Sequence, residues 1–228
     1  MPRTVEPPQE ITTRRGLVEP TEASAEPFRT LRVSLELRPD TRRGNVVLFT
    51  SAEPEEGKST IAANYAAVSA INDRRILLID ADLRSPTQHE IFGLTRAPGL
   101  TEIIASHGPP DASKHMRHIP STPGLAVVTA GTPVPRAGDI TGSHAVKSLL
   151  TWASETYDTV VVDTPPVLSA ADAAHIATHP SVDVAFVVAS KQRSRRVGRA
   201  LGKLALVNAN ILGFVVNHEG RLTDYGYG

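Results

Sequence analysis

Residues 52–59 read AEPEEGKS, which fits the phosphate-binding loop pattern G-x-x-x-x-G-K-[ST] with alanine at the usual first glycine. An apolar run precedes this segment and a helix-compatible one follows it, as the pattern requires. The backbone N–H groups of such a loop, together with the start of the following helix, form a concave site for anions. Lys58 adds a positive charge for the terminal phosphates, and Ser59 stands where the pattern places a Mg²⁺ ligand. The loop therefore predicts a nucleotide-binding site.

Three aspartates follow apolar runs at two other places in the chain. Asp80 and Asp82 close the run ILLIDAD, and Asp163 closes the run TVVVD. Ligands of parallel α/β sheets bind at the carboxyl ends of strands, so we expect these carboxylates to meet the phosphates. Carboxylate oxygens suit Mg²⁺, and a carboxylate that the metal does not use can accept the proton of an attacking hydroxyl. An aspartate at a strand end is often only a turn cap, but together with the loop the three predict phosphoryl chemistry.

Composition and length exclude several other classes of protein. The 228 residues suffice for one α/β domain, and 24 basic against 24 acidic residues give no broad charged surface for nucleic acid or membrane. The chain has no cysteine, and its eight histidines show no metal-ligand spacing. It contains no G-x-S-x-G elbow and no G-x-G-x-x-G fingerprint. Because it shows neither a signal-peptide core nor a run of about 20 apolar residues, we expect a soluble cytoplasmic protein.

Short apolar runs alternate with amphipathic segments after Gly44. Continuous β-branched runs are typical of strands buried on both faces, and six runs fit: NVVLFTS, RILLIDAD, LAVVTAG, TVVVDTPP, VAFVVAS and ILGFVVN. Helices are predicted between most of them, for example over residues 59–71, 144–156 and 195–208. The alternation predicts an α/β fold with a doubly wound, mostly parallel sheet and helices on both faces.

The chain divides into three predicted parts. Residues 1–20 are rich in proline and charge, and we expect them to form a flexible arm. Residues 21–218 are expected to form the nucleotide-binding domain, which begins with a helix over residues 21–38. Residues 219–228, EGRLTDYGYG, place two of the four tyrosines beside glycines and are expected to form a flexible tail. The apolar residues of the first helix are Phe28, Leu31, Val33, Leu35 and Leu37.

Taken together, these motifs resemble those of the bacterial tyrosine autokinases, or BY-kinases, of capsule and exopolysaccharide synthesis. TSAEPEEGKST resembles their Walker A motif, LLIDADLRSPTQHEIFG their Walker A′ motif, and YDTVVVDTPPVLSAADA their Walker B segment. ILGFVVN is similar to their late strand. The resemblance covers residues 22–228 and implies a P-loop NTPase fold like that of the partitioning ATPases. It also implies a protein-tyrosine kinase that uses ATP and Mg²⁺.

The resemblance assigns roles to individual residues. Lys58 and the loop amides would hold ATP, Ser59 and Asp82 would bind Mg²⁺, and Asp163 would orient the metal through water. Asp80 is the expected general base for the phenolic proton, so Lys58 and the three aspartates form the expected catalytic set. The expected ATP-binding residues, the last of them at the adenine, are Ala52, Glu53, Pro54, Glu55, Glu56, Gly57, Lys58, Ser59, Thr60 and Asn217.

The resemblance also implies an assembly. Glu26, Arg29 and Arg32 fit the family's E-x-x-R-x-x-R motif, which implies contacts between subunits of a ring, and residues three apart share one helix face. Tyr225 or Tyr227 of a neighbouring subunit is the expected phosphate acceptor. A transmembrane chain-length regulator is the implied activator, which would recruit the kinase to the inner face of the cell membrane. No nucleic-acid partner is implied.

Two departures from the family pattern leave other functions open. Glu55 replaces the usual glycine after the loop proline, and with Glu56 it places two negative charges near an anion site, where an inward-turned carboxylate would repel phosphate. The family segment rich in proline and asparagine is altered over residues 132–143. One alternative is a partitioning ATPase of the Min/Par class, although those proteins carry an early loop lysine where this chain has Glu53. The other is a nucleotide-binding scaffold that transfers no phosphate.

Overall fold

The computed structural model describes residues 16–36, 45–106, 112–190 and 194–218. In this part of the chain one sheet of seven strands has the order β3-β4-β2-β5-β1-β6-β7. Only the β3–β4 pair is antiparallel, and all other neighbours are parallel. The strands are β1 (Val46–Ser51), β2 (Ile76–Asp80), β3 (Arg117–Ile119), β4 (Thr122–Val128), β5 (Thr159–Asp163), β6 (Val182–Ala189) and β7 (Asn210–Asn217).

Helices cover both faces of the sheet, as the sequence predicts. One buried apolar cluster lies on the face of α1 and α2, and a second lies on the face of α6, α7 and α8. Every residue of β1, β2 and β5 is buried, which explains why their sequences are continuous apolar runs rather than alternating ones. The helices are α1 (Glu26–Glu36), α2 (Lys58–Ser69), α3 (Gln88–Phe92), α4 (Leu100–Ala105), α5 (Ala137–Thr141), α6 (His144–Thr156), α7 (Asp172–Ala177) and α8 (Ser194–Ala205), with two short 3-10 turns at Ala23–Ala25 and Ala112–His115.

The predicted doubly wound α/β fold is confirmed, and two strands differ from the prediction. β3 is only three residues long, too short for an apolar period to show in the sequence. β7 lies at the edge of the sheet, where Phe214 and Val216 are 56% and 55% exposed, so the run ILGFVVN is not a buried strand. An edge strand has a neighbour on one side only, and its apolar residues are therefore covered less completely than those of central strands.

The folded domain begins at a lower residue number than the sequence predicts. Asn64 of α2, which has no exposed surface, donates to the Gly16 carbonyl and accepts from the Val18 amide at 2.7 Å. Leu17 packs against the cluster under α1 and α2. Residues 16–20 therefore belong to the folded domain rather than to the predicted arm, because a buried amide on α2 satisfies their backbone. Residues 1–15 lie outside the described part.

The first helix is shorter than predicted. α1 begins at Glu26, and residues 37 and 38 of the predicted span lie outside the described part. Leu35 is buried and Phe28 and Leu31 pack against the core, whereas Val33 is 44% exposed on the outer face. No helix within the described residues is long and apolar enough to cross a membrane.

Candidate nucleotide and metal site

Three strands deliver the predicted site residues to one edge of the sheet. The phosphate loop connects the end of β1 to the start of α2 at Lys58. Asp80 is the last residue of β2 and Asp163 the last residue of β5, and these two are direct neighbours in the parallel register. The carboxylates that follow two separate apolar runs therefore lie side by side because the runs end at the same level of the sheet.

A cavity of about 600 Å³ opens at this edge. Of the predicted residues, Pro54, Glu55, Gly57, Lys58, Ser59, Thr60 and Asp82 line it, whereas Ala52, Glu53, Glu56 and Asn217 do not. Asp80 and Asp163 lie beneath the wall and have no exposed surface. The remaining lining residues are Gly16, Arg84, Ser85, Thr87, Glu90, Ile91, Pro165, Pro166 and Ser169.

Lys58 lies among the carboxylates. Its Nζ atom is 3.0 Å from Asp82 Oδ2 and 3.6 Å from Asp163 Oδ1, and it donates to Ser59 Oγ at 2.9 Å. Asp80 completes the group by accepting the Asp82 amide on Oδ1 at 3.2 Å. Three carboxylates and one ammonium share this site, so it carries more negative than positive charge.

The pKa shifts of these groups follow from that imbalance. Burial raises the pKa of Asp80 well above its ordinary value, and the neighbouring Asp163 raises it further. Burial also raises the pKa of Asp163, although Lys58 opposes this shift. For Lys58, burial disfavours the ammonium, but the surrounding carboxylates outweigh burial and its pKa is raised. The site therefore favours a bound cation and resists full ionisation of its acids.

Gln88 holds the carboxylates in place and was missed by the sequence analysis. Its side-chain amide donates to Asp163 Oδ2 at 2.8 Å and to the Ser59 carbonyl at 3.0 Å, and its backbone N–H donates to Asp80 Oδ2 at 3.0 Å. Gln88 is fully buried at the start of α3. A glutamine six residues beyond Asp82 matches no general metal or catalytic pattern, so only the fold shows its position between the strands.

The donor set fits Mg²⁺ held mainly by a nucleotide. The Oδ1 atom of Asp163 is buried and accepts no hydrogen bond, Asp82 lines the cavity, and Ser59 adds a hydroxyl. In the described part of the chain, no three His, Cys, Asp or Glu side chains form a ready metal cage. Mg²⁺ usually takes one or two carboxylates together with phosphate oxygens and water, so these residues suit it when it arrives with ATP.

Glu55 and Glu56, the two loop glutamates that could repel phosphate, have different environments. Glu56 is 3% exposed, and its carboxylate accepts the Glu53 amide at 2.7 Å and the Ala189 amide at 3.3 Å. It braces the loop against β6 and does not turn into the cavity. Glu55 lines the cavity with φ 64°, a left-handed backbone that glycine adopts more readily. The predicted repulsion of phosphate therefore concerns Glu55 alone.

The end of β7 packs against the same loop. Asn217 donates from its side-chain amide to the Glu56 carbonyl at 3.0 Å, and a side chain at Gly57 (φ 83°) would collide with it. The next residue, His218, is fixed by Ser190, whose hydroxyl donates to the His218 carbonyl at 2.7 Å. The described chain therefore ends at His218, next to the residue that contacts the phosphate loop. Tyr225 and Tyr227 themselves lie outside the described residues.

The three charged residues of α1 that are predicted to contact a neighbouring subunit make several contacts within their own chain. Arg29 pairs with Glu26 at 2.7 Å and donates to two backbone carbonyls, those of Pro20 and Glu22. Arg32 donates to the Val68 carbonyl at 3.3 Å, at the end of α2. These contacts fix the direction of both guanidinium groups, and the Glu26 carboxylate remains 67% exposed.

The chain is similar to several known proteins over most of its length. Residues 43–224 match the family described as "ParA: NUBPL iron-transfer P-loop NTPase". The chain is 33% identical to tyrosine-protein kinase YwqD of Bacillus subtilis over 93% of this chain and 89% of that protein. It is 32% identical to tyrosine-protein kinase etk of Escherichia coli over 87% of this chain but only 27% of that protein, so it spans about a quarter of this longer relative.

A solved structure agrees with these matches. The kinase domain of Escherichia coli tyrosine kinase ETK superimposes with a TM-score of 0.82 at 30% identity, covering 100% of this chain and 87% of that one. The phosphate loop, the paired strand-end aspartates and the lysine among them lie within the matched region. The chain therefore belongs to the bacterial tyrosine-protein kinases, within the ParA-like P-loop NTPases.

Proposed function

We propose that the protein is an ATP-dependent tyrosine autokinase that phosphorylates Tyr225 and Tyr227 on a neighbouring copy of itself. The observation that supports this proposal is that Asn217, near the end of the described chain, contacts the phosphate loop. Ser190 holds the next residue, His218, and the two tyrosines follow it in the sequence. Tyr225 is seven residues beyond His218, which gives it a reach of about 25 Å.

The other two tyrosines support the tail as acceptor. Tyr65 is 1% exposed and packs against Phe49, with ring centroids 5.3 Å apart. Tyr157 donates its hydroxyl to Met116 Sδ at 3.1 Å and packs edge-on against Trp152. Tyr65 is buried and the Tyr157 hydroxyl is used within the folded domain, which supports the tail tyrosines as acceptors.

In the proposed mechanism, Lys58 first leaves the carboxylates. Its ammonium moves from Asp82 and Asp163 to the terminal phosphates, where the loop amides also donate. Ser59, Asp82 and, through water, Asp163 would hold Mg²⁺, which would supply charge neutralisation at the phosphates when it binds with ATP. Asn217 would contact the adenine from the end of β7.

Asp80 then acts as the general base. It has no exposed surface in this structure and its two oxygens accept the Asp82 and Gln88 amides, so the proposed role requires these contacts to open toward the tyrosine. Its raised pKa makes it a stronger proton acceptor than an ordinary aspartate once it is ionised. The phenolic oxygen forms a bond to the γ-phosphorus, the bond from phosphorus to the β-phosphate oxygen breaks, and the proton passes to Asp80.

The proposed assembly is a ring at the membrane. Glu26, Arg29 and Arg32 would contact the next subunit, and a transmembrane chain-length regulator would activate the kinase at the inner face of the membrane. Phosphate on several tails would weaken the ring by charge repulsion, because each group carries about −1.5 to −2 charges. Cycles of assembly and release would in this way regulate capsule or exopolysaccharide polymerisation and export.

Two tagged versions of the full chain, produced together in the native host, test the transfer between copies. One carries Lys58→Met and keeps its tail, and the other carries Tyr225→Phe with Tyr227→Phe and keeps its kinase site. We expect phosphotyrosine on the Lys58→Met copy only when the second version is present. Phosphotyrosine on wild type but never on the Lys58→Met copy contradicts transfer between subunits.

Assays on the same purified protein distinguish the kinase from the two alternative functions, a partitioning ATPase and a nucleotide-binding scaffold. ATP hydrolysis by wild type with no phosphotyrosine would indicate a partitioning-type ATPase. Tight ATP binding with neither hydrolysis nor phosphotyrosine would indicate a scaffold. The Glu53 side chain, which occupies the place of the partitioning lysine, pairs with Arg196 of α8, and this favours the kinase over the first of these alternatives.

A further inference from the structure

A second positively charged side chain, Arg84, lies at the cavity. Arg84 lines the cavity together with Lys58, and among the described lining residues these two are the only lysine or arginine side chains. The Nη2 atom of Arg84 lies 3.5 Å from Asp172 Oδ2. The Arg84 side chain is 49% exposed, whereas that of Asp172 is 1% exposed. A buried carboxylate, whose Oδ2 accepts no hydrogen bond within the described residues, therefore lies in ion-pair range of a cation at the cavity wall.

Two elements outside the phosphate loop hold this pair. Asp172 begins α7, and its Oδ1 accepts the Thr141 hydroxyl of α5 at 3.0 Å. The backbone of α5 also lies against the guanidinium, since a Cβ on Gly138 would stand 3.4 Å from Arg84 Nη2. Two residues of the altered segment 132–143 therefore lie beside this pair, Gly138 next to Arg84 and Thr141 bonded to Asp172.

Arg84 keeps most of its hydrogen-bonding capacity. A guanidinium has five N–H donors in a fixed plane, and within the described part of the chain Asp172 is the one charged group that Arg84 contacts. Lys58, in contrast, is shared among carboxylates. Arg84 lines a cavity whose expected occupant is a polyphosphate, and a planar fork of donors matches phosphoryl oxygens.

Phosphoryl transfer needs charge stabilisation at the group in transit. During transfer negative charge is spread over the three equatorial oxygens of that group, and a positioned arginine is a strong stabiliser of such charge. We propose that Arg84 is a catalytic residue that binds the phosphoryl group in transit, and that Asp172 positions it. The proposal rests on the proposed tyrosine transfer. Arg84 donates N–H groups to the equatorial oxygens and changes no covalent bond, while the proton still passes to Asp80.

Kinetics of the full-length kinase with three substitutions test this role. We expect Arg84→Ala to lower kcat for tail phosphorylation about 100-fold while KM for ATP changes less than about threefold, because the interaction is made in transit. Arg84→Lys keeps the charge but not the fork and should retain more activity than Arg84→Ala. Asp172→Asn should lower kcat about 10-fold, because the arginine loses its anchor. The matched control is Arg199→Ala, which removes an exposed arginine of α8 away from this pair and should leave kcat unchanged.

Two further measurements distinguish catalysis from a loss of structure. Guanidinium ion added at non-denaturing concentration should restore part of kcat to Arg84→Ala and none to Lys58→Met. ADP with aluminium fluoride and Mg²⁺, a mimic of the group in transit, should bind Arg84→Ala at least about 10-fold more weakly than wild type, with ADP affinity unchanged.

Three outcomes contradict the role of Arg84, and a fourth concerns only the proposed tyrosine transfer. An Arg84→Ala kcat within about threefold of wild type contradicts it, as does a raised KM for ATP with unchanged kcat. Equal binding of ADP–aluminium fluoride by wild type and Arg84→Ala contradicts it independently of any tyrosine. If wild type forms no phosphotyrosine, the proposed function fails, and the aluminium fluoride comparison still decides the role of Arg84.

Discussion

Two groups of acidic side chains lie at the nucleotide site, and they differ in how their negative charge is balanced. Beneath the cavity, Asp80, Asp82 and Asp163 share a single lysine, so negative charge is in excess and is buried. In the phosphate loop above, Glu56 is satisfied by two backbone amides and Glu53 pairs with Arg196. The three aspartates, here called the lower group, keep an excess of negative charge that a further cation would balance. Glu53 and Glu56 of the loop have their partners within the protein.

This difference explains how a loop with three glutamates can serve an anion. The carboxylates of Glu53 and Glu56 are used to hold the loop in shape, and Glu55 alone borders the cavity. The excess charge below suits a divalent cation, which would release Lys58 for the phosphates. Substitutions in the lower group should therefore change chemistry, and substitutions in the loop should change stability and affinity.

The largest effect is expected from Lys58→Met. Removal of the ammonium takes away the loop cation of the terminal phosphates, so tail phosphorylation should fall about 1000-fold. The measurement is the rate of phosphotyrosine formation in the full chain with ATP and Mg²⁺. Lys147→Met, an exposed lysine of α6, is the control and should keep the wild-type rate. A Lys58→Met rate within tenfold of wild type would show that the lysine is not the phosphate-binding group.

Glu56→Ala should destabilise the loop. It leaves the half-buried Glu53 and Ala189 amides without an acceptor, which should lower the free energy of unfolding by about 1 kcal/mol. Urea unfolding measures this change, and Glu155→Ala on the exposed side of α6 should change stability by less than about 0.5 kcal/mol. Equal stabilities of the two variants would contradict the bracing role.

Asp163→Asn should stabilise the protein at neutral pH while it lowers activity. Burial raises the pKa of Asp163, so the folded protein holds this proton to higher pH than the unfolded chain does. Its contribution to stability is therefore lost as pH rises from about 4 through the raised pKa. Without Mg²⁺ we expect the variant to be about 1 kcal/mol more stable than wild type at pH 7 and equally stable near pH 3.

Thermal and urea unfolding across this pH range measure the difference, with Asp139→Asn, an exposed residue of α5, as control. A variant that is less stable than wild type at pH 7 would mean that the Lys58 and Gln88 contacts of Asp163 outweigh the excess charge.

The smallest effect is expected from Glu55→Gly. Glycine adopts φ 64° without strain and removes the one loop carboxylate at the cavity, so stability should rise by about 0.5 kcal/mol and ATP should bind a few-fold more tightly. Calorimetric titration with ATP and Mg²⁺ measures the second change. Weaker ATP binding by the glycine variant would show that Glu55 assists the nucleotide.

The sequence predicts the central parts of this protein well for physical reasons. The runs VVLFTS, ILLID and TVVVD are strands because they are buried on both faces, and a parallel sheet brings the residues at their ends together. α6 spans His144–Thr156 as predicted, since Ser143 caps it and its apolar residues recur at helical spacing.

The remaining features depend on packing that no local pattern encodes. Gln88 joins Asp80 to Asp163 only because α3 passes between two strand ends. The anchoring of Arg84 depends on Asp172, 88 positions later in the numbering, and on a short helix with no strong periodicity. Asn64 fixes residues 16–18 through side-chain contacts to backbone. Each is a long-range contact between polar groups, for which composition and spacing give no signal.

Phosphopeptide mapping of the full chain isolated from its native host, where any activator is present, tests the central claim most directly. The four tyrosines lie in separable positions, with Tyr65 and Tyr157 in the folded domain and Tyr225 and Tyr227 in residues 219–228. The proposed autokinase predicts phosphate on Tyr225, Tyr227 or both, and none after Lys58→Met. Phosphate confined to Tyr65 or Tyr157, or tail phosphate that persists in the Lys58→Met chain as the only copy in the cell, would contradict it.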